Sequence, residues 1–86
     1  MRILIADDHR VVRTGLRMLL ESHSDFEVVG EASSGPETLQ KAQELRPDLV
    51  ILDLSMPDGN GLLYLRQLSE IARVLVLTMH DDPAYV

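Results

Sequence analysis

Short apolar runs recur at nearly constant intervals along this chain, and that spacing restricts its fold more than any other feature. The runs start at residues 2, 26, 49 and 73, which gives intervals of 24, 23 and 24 residues. They are predicted as strands over Arg2–Ala6, about Phe26–Glu31, Leu49–Leu52 and Arg73–Leu77. Each interval has room for a right-handed crossover helix between parallel strands. The pattern therefore predicts an α/β fold in three layers, with helices on both faces of a parallel sheet.

Helical periodicity fills the intervals between the predicted strands. The first predicted helix covers Arg10–Glu21, where Val12, Leu16 and either Leu19 or Leu20 recur on one face. The opposite face is predicted to expose a basic stripe, usually just a solvated surface, where an acidic partner could dock. Its members are Arg10, Arg13 and Arg17.

The second helix has two possible starts. Ser34 can act as N-cap with Glu37 three residues later, or Gly35 can cap a helix whose first residue is proline. The helix is predicted to stop before Pro47, because the residue preceding a proline avoids helical geometry. A third helix is predicted from residue 62 to residue 69 or 70.

The composition limits the chain to one small domain and disfavours several functions. Its 86 residues include no cysteine, which excludes disulfides and fits a cytoplasmic, reducing location. Eight basic residues against 14 acidic ones give a formal charge of −6, which disfavours direct contact with nucleic acid. No apolar stretch approaches the roughly 20 residues of a membrane-spanning helix.

Carboxylates directly follow two of the predicted strands. Asp7 and Asp8 come after the first strand, and Asp53 comes after the third. The carboxyl ends of parallel strands share one edge of the sheet, which is where open α/β folds bind ligands. Clustered anions repel one another unless a cation compensates them. The arrangement suits a hard divalent cation held by oxygen atoms, and Mg²⁺ is the first candidate.

Other polar residues near this edge allow more than one interpretation. Thr78 follows the fourth strand. Its hydroxyl could donate a hydrogen bond to an anionic ligand, or Thr78 could be only a β-branched residue at the end of the strand. His9 and His80 suggest a metal site at first sight. Because oxygen ligands are already at hand and no second nitrogen stands at a convincing spacing, both histidines are predicted to be surface or packing residues.

Three separated segments resemble the receiver domain of bacterial response regulators. They are Ile3–His9, Leu49–Gly61 and Val74–Thr78, and they agree with that family in order and spacing. The Asp-Asp-His start and the Leu-Thr-Met-His run from Leu77 are most similar to the NarL/LuxR-type subgroup. The resemblance implies a flavodoxin-like sheet with strand order 2-1-3-4-5, of which this chain holds 2-1-3-4.

The resemblance also implies a role for each site residue. Asp53 would accept a phosphoryl group from the phosphohistidine of a sensor histidine kinase. Asp8 and Asp53 would coordinate Mg²⁺ directly, with the backbone carbonyl of Ser55, while Asp7 would assist through water. Thr78 would bind the phosphoryl group after transfer. The output would be regulation of transcription through a DNA-binding domain that this chain lacks.

The chain departs from the family at its C-terminal end. A fifth strand, the last helices and the lysine that pairs with the phosphoryl group are missing, so residues 1–86 are expected to be an incomplete receiver domain. Lys41 is the only lysine, and it lies in the second helix, too far from the acids to replace the missing one. The fourth strand would then have an unpaired edge. A homodimer or a strand-swapped oligomer through that edge is expected.

Two other functions stay open on the residues alone. A phosphatase of the haloacid dehalogenase type also places a nucleophilic Asp after an apolar strand, but that family has a second Asp two residues later, where Ser55 stands here. An interaction module that keeps the receiver shape without phosphorylation is the other possibility. The receiver interpretation predicts no enzymatic turnover beyond self-phosphotransfer and autodephosphorylation.

Overall fold

Strands and helices alternate throughout the part of the chain that the computed structural model describes, residues 1–54, 56 and 61–77. The elements in chain order are β1 (Arg2–Ala6), α1 (Arg10–Glu21), β2 (Glu27–Ala32), α2 (Gly35–Leu45), β3 (Leu49–Asp53), α3 (Gly61–Ser69) and β4 (Arg73–Leu77). The bounds predicted for β1, α1 and β4 are confirmed. β2 lies one residue later than predicted, because its first residue pairs with Arg2 at the start of β1.

The strands form one parallel sheet with the order β2-β1-β3-β4. This order confirms the flavodoxin-like arrangement that the resemblance implied. β1 and β3 occupy its centre, and they pair in register from Ile3 opposite Leu49 to Ala6 opposite Leu52. The carboxyl ends of the two central strands are therefore level with each other.

Alternating side chains of the central strands fill two hydrophobic layers, because successive residues of a strand point to opposite faces of the sheet. On one face, Leu4 and Ala6 pack with Ala42 of α2 and Leu68 of α3. On the other face lie Ile3, Ile5, Val28 and Ile51, together with Leu16 and Leu20 of α1. The predicted three-layer architecture is thus present, with α2 and α3 on one side and α1 on the other.

The α1 helix lies less deeply on the sheet than its sequence suggests. None of its residues is fully buried, and Leu20 rather than Leu19 contacts the core. The prediction that its arginines all face solvent is wrong for Arg13. The Arg13 side chain is only 16% exposed, because its long stem reaches back to β2 and pairs with Glu31.

The start of α2 follows the first of the two predicted alternatives. The Ser34 hydroxyl accepts a hydrogen bond from the backbone N–H of Glu37 at 3.3 Å, which makes Ser34 the N-cap. The Glu37 carboxylate in turn accepts the backbone N–H of Ser33 at 2.7 Å. The helix ends at Leu45, and Arg46 adopts the left-handed conformation with φ of 49° before the proline.

Candidate functional site

The paired central strands bring together the acids that follow them. Ala6 lies opposite Leu52, so Asp7, the residue after β1, lies beside Asp53. Asp53 is the last residue of β3, which is one residue longer than predicted and pairs there with Leu77 of β4. One ligand atom from each of four residues lies within 4.8 Å of the others. The four are Asp7, Asp8, His9 and Asp53.

Burial separates the three carboxylates of this cluster. Asp7 is 1% exposed and Asp53 is fully buried, whereas the Asp8 side chain is 23% exposed. Within the described residues, Asp7 Oδ2 is buried and has no hydrogen-bond partner. Leaving a buried acceptor unsatisfied costs about 1–3 kcal/mol, and a bound cation or water would remove that cost. The donor set, three carboxylates at one edge, fits Mg²⁺.

His9 contacts both members of the acidic pair. Its backbone N–H donates to Asp7 Oδ1 at 2.7 Å, and its ring Nδ1 lies 3.0 Å from the same oxygen. The same Nδ1 lies 3.1 Å from Asp8 Oδ1. The hydrogen bond with Asp7 raises the pKa of His9, and the charge of Asp8 adds to this effect. While no cation is bound, the protonated ring is therefore favoured beside the carboxylates, and a cation that binds the ring nitrogen would have to displace that proton.

The prediction that His9 is only a surface or packing residue missed this arrangement. The side chain is 56% exposed, as expected of a surface histidine, yet its ring belongs to the acidic cluster. The signal available in the sequence was its position directly after the acidic pair.

Hydrogen bonds fix the backbone of Asp7 on both sides. Its N–H donates to the carbonyl of Ala32 on β2 at 3.0 Å. Its carbonyl accepts Arg13 Nη1 at 2.5 Å, and Arg13 Nε donates to Glu31 Oε1 at 3.2 Å. Arg17 Nη1 donates to the other oxygen of Glu31 at 2.6 Å. The loop that carries the acids is therefore held to β2 and α1 by hydrogen bonds that the sequence pattern does not predict.

The remaining predicted site residues are not all described. Ser55, Thr78 and His80 lie outside the described residues. Lys41 donates from Nζ to the carbonyl of Glu31 and lies 3.9 Å from Glu37. These contacts place it beside β2.

A profile of the response regulator receiver domain matches residues 3–86. The chain belongs to the response regulator receiver domain family. Receiver domains bind Mg²⁺ at an acidic pocket, and the described residues of this chain contain an aspartate cluster. Domains of this type interact with sensor histidine kinases. Proteins of this family are generally regulators rather than enzymes.

Similar proteins place this receiver domain among the NarL/NreC-type regulators. The oxygen regulatory protein NreC of Staphylococcus haemolyticus is 49% identical over 90 residues, covering all of this chain and 42% of that protein. Its counterpart in Staphylococcus epidermidis is 51% identical, with 41% of it covered. The receiver domain thus spans about two fifths of the length of these curated relatives.

Solved receiver structures agree with this placement. The receiver domain of NarL from Mycobacterium tuberculosis superposes with a TM-score of 0.86 at 33% identity, covering 99% of this chain and 71% of that one. The receiver domain of CheB from Thermotoga maritima also superposes with a TM-score of 0.86 at 33% identity, covering 96% of this chain and 63% of that one.

Within the described residues, no helix is long and apolar enough to cross a membrane.

Proposed function

We propose that this receiver domain accepts a phosphoryl group on Asp53 from the phosphohistidine of a sensor histidine kinase. The observation that carries the proposal is the placement of Asp53. It is a fully buried carboxylate at the end of a central strand, within 4.8 Å of ligand atoms from two other acids. A buried carboxylate is costly unless it is paired or bound to a metal.

The proposed transfer uses the residues of the cluster in distinct ways. An Asp53 carboxylate oxygen attacks phosphorus, the phosphorus–nitrogen bond breaks, and the released imidazole takes a proton from solvent. Asp8 and Asp53 are proposed as direct Mg²⁺ ligands with the carbonyl of Ser55, and Asp7 as a ligand through water. The bound cation supplies charge neutralisation between the carboxylate and the incoming phosphoryl group. Thr78 is proposed to bind the transferred group.

The proposed output is a change of surface that controls transcription. A phosphorylated aspartate adds charge and acceptor oxygens, which can reorder neighbouring loops. The chain covers 41–42% of its curated relatives, so we propose that residues 1–86 are the incomplete receiver part of a longer regulator. With a net charge of −6, this part is not proposed to contact DNA itself. A cytoplasmic location, which the absence of cysteine fits, is part of the proposal.

Self-association through β4 is proposed as a further property of these 86 residues. Among the described strands, β4 pairs with β3 alone, and Leu75 and Val76 are 50% and 37% exposed. Exposed apolar residues on an edge strand favour pairing with a second chain. In a homodimer or a strand-swapped oligomer, a strand of a second chain would pair with the free edge of β4.

Phosphorylation by a small donor tests the proposed function. The protein is incubated with acetyl phosphate and Mg²⁺, and its intact mass is measured. The expected result is one added phosphoryl group in the wild type and in Asp25→Asn, a matched control at an exposed aspartate, and none in Asp53→Asn. Rapid turnover of acetyl phosphate without an adduct would favour the phosphatase. No reaction in a full-length version of the protein would leave the interaction module.

A further inference from the structure

The ring of His9 occupies the position of a ligand in the acidic cluster. Its Nδ1 lies 3.0 Å from Asp7 Oδ1 and 3.1 Å from Asp8 Oδ1. Neighbouring ligands of an octahedral cation with bonds of about 2.1 Å are about 3.0 Å apart. All the donor atoms, including one from Asp53, lie within 4.8 Å of one another. A cation held by Asp8 and Asp53 can therefore also contact the imidazole nitrogen, with Asp7 reached through water.

We propose that His9 is a nitrogen ligand of this site, which then takes first-row transition cations such as Mn²⁺ and Co²⁺ as well as Mg²⁺. The inference rests on the proposed metal site and adds one residue to it. Carboxylates suit Mg²⁺ and Mn²⁺, whereas imidazole favours ions later in the transition series. His9 should therefore raise the affinity for transition cations much more than the affinity for Mg²⁺.

Burial and exposure around the cluster agree with such a site. Asp7 is 1% exposed, and in the described part of the chain its Oδ2 has no hydrogen-bond partner, so an acceptor remains available at the buried side. His9 closes the outer side with a ring that is 56% exposed. That exposure leaves room for water ligands, which Mg²⁺ and Mn²⁺ retain in proteins.

The competing role for His9 is a hydrogen bond to Asp7 without metal contact. Two variants separate the roles. His9→Phe removes both functions, whereas His9→Gln keeps an N–H donor for Asp7 and removes the imidazole nitrogen. His23→Phe is the matched control, since His23 is exposed and packs its ring against Phe26 at 5.7 Å between centroids.

The test uses the protein that carries this chain, with circular dichroism to check that each variant is folded. Pulsed electron paramagnetic resonance of bound Mn²⁺ reports whether nitrogen is coordinated, and calorimetry gives the dissociation constants for Co²⁺ and Mg²⁺. The wild type and His23→Phe should show nitrogen coupling that excess Mg²⁺ removes. Both His9 variants should lose the coupling. Their affinity for Co²⁺ should fall about 10- to 100-fold, and the affinity for Mg²⁺ by less than about threefold.

Three outcomes would overturn the inference in different ways. Mn²⁺ bound without nitrogen coupling in the wild type would make His9 a hydrogen-bonding residue only, and the proposed function would stand. Coupling that survives in His9→Phe would assign the nitrogen to another residue. A wild type that binds neither Mg²⁺ nor Mn²⁺ would overturn the proposed metal site itself.

Discussion

The side chains of the central strands β1 and β3 are buried on both faces of the sheet. The side chains of β4, which also pairs with β3, are partly exposed. Ile3, Leu4, Ile5 and Ala6 of β1 are all buried, but Leu75 of β4 is 50% exposed. The acids leave the sheet from its buried centre, where hydrogen bonds also fix the backbone of Asp7. The candidate site therefore lies at the buried centre of the sheet, next to a strand whose apolar side chains are partly exposed.

Matched truncations in the two regions should give the largest effect on stability. Leu4→Ala removes a fully buried side chain and should lower the free energy of unfolding by about 2–5 kcal/mol. Leu75→Ala removes a half-exposed one and should cost less than about 1 kcal/mol. Urea denaturation measures both. Equal losses would mean that β4 is packed as tightly as β1.

Removing the Arg13 side chain should loosen the acidic loop. Arg13→Met removes the hydrogen bond to the Asp7 carbonyl and the ion pair with Glu31. The dissociation constant for Mg²⁺ should therefore rise about tenfold, which corresponds to a loss of about 1.4 kcal/mol in binding free energy. Arg17→Met also breaks a pair with Glu31 but has no bond to Asp7, so Mg²⁺ binding should be nearly unchanged. Calorimetric titration compares them, with Arg13→Lys as a partial rescue. If both methionine variants lost the same Mg²⁺ affinity, the ion pairs with Glu31, rather than the hydrogen bond to Asp7, would be what supports Mg²⁺ binding.

The open strand should make the 86-residue chain self-associate. Light scattering at high concentration should give a mass above the 9.6 kDa of one chain. Leu75→Lys places a charge on the exposed strand and should raise the dissociation constant of the assembly at least about tenfold. A monomeric mass for the wild type would remove the proposed β4 contact.

The smallest expected effect concerns the start of α2. The hydrogen bond from the backbone of Ser33 lowers the pKa of Glu37 below its ordinary value of 4.5. The ionised carboxylate therefore stabilises the fold at pH values above 4.5, and that contribution is lost as the pH falls through the lowered pKa. Glu37→Gln should cost less than about 0.5 kcal/mol at neutral pH. In denaturation curves the cost should shrink as the pH falls below 4.5 and through the lowered pKa, and a cost independent of pH would contradict the role of the ionised carboxylate.

Periodicity predicted the elements well because each strand and helix has its own pattern of burial. The bounds of β1, α1 and β4 followed from that pattern, and the strand order followed from the motifs of the receiver family. The contacts of Arg13 did not follow, because they join α1 to the backbone of Asp7 and to a side chain of β2. The contacts of His9 are local, but periodicity does not show which way the ring turns. A long arginine on a helix satisfies the same periodicity whether it faces water or reaches back to Glu31. Ser55 and Thr78 stay predictions, since they lie outside the described residues.

Chemical mapping of the phosphorylated residue would show whether Asp53 is the phosphoacceptor. After reaction with acetyl phosphate and Mg²⁺, borohydride reduction converts an acyl phosphate on an aspartate into homoserine, and tandem mass spectrometry locates that residue. We expect homoserine at position 53 alone, in an amount that falls when Mg²⁺ is chelated. Homoserine at position 7 or 8, or an unmodified chain in the protein that carries these residues, would contradict it.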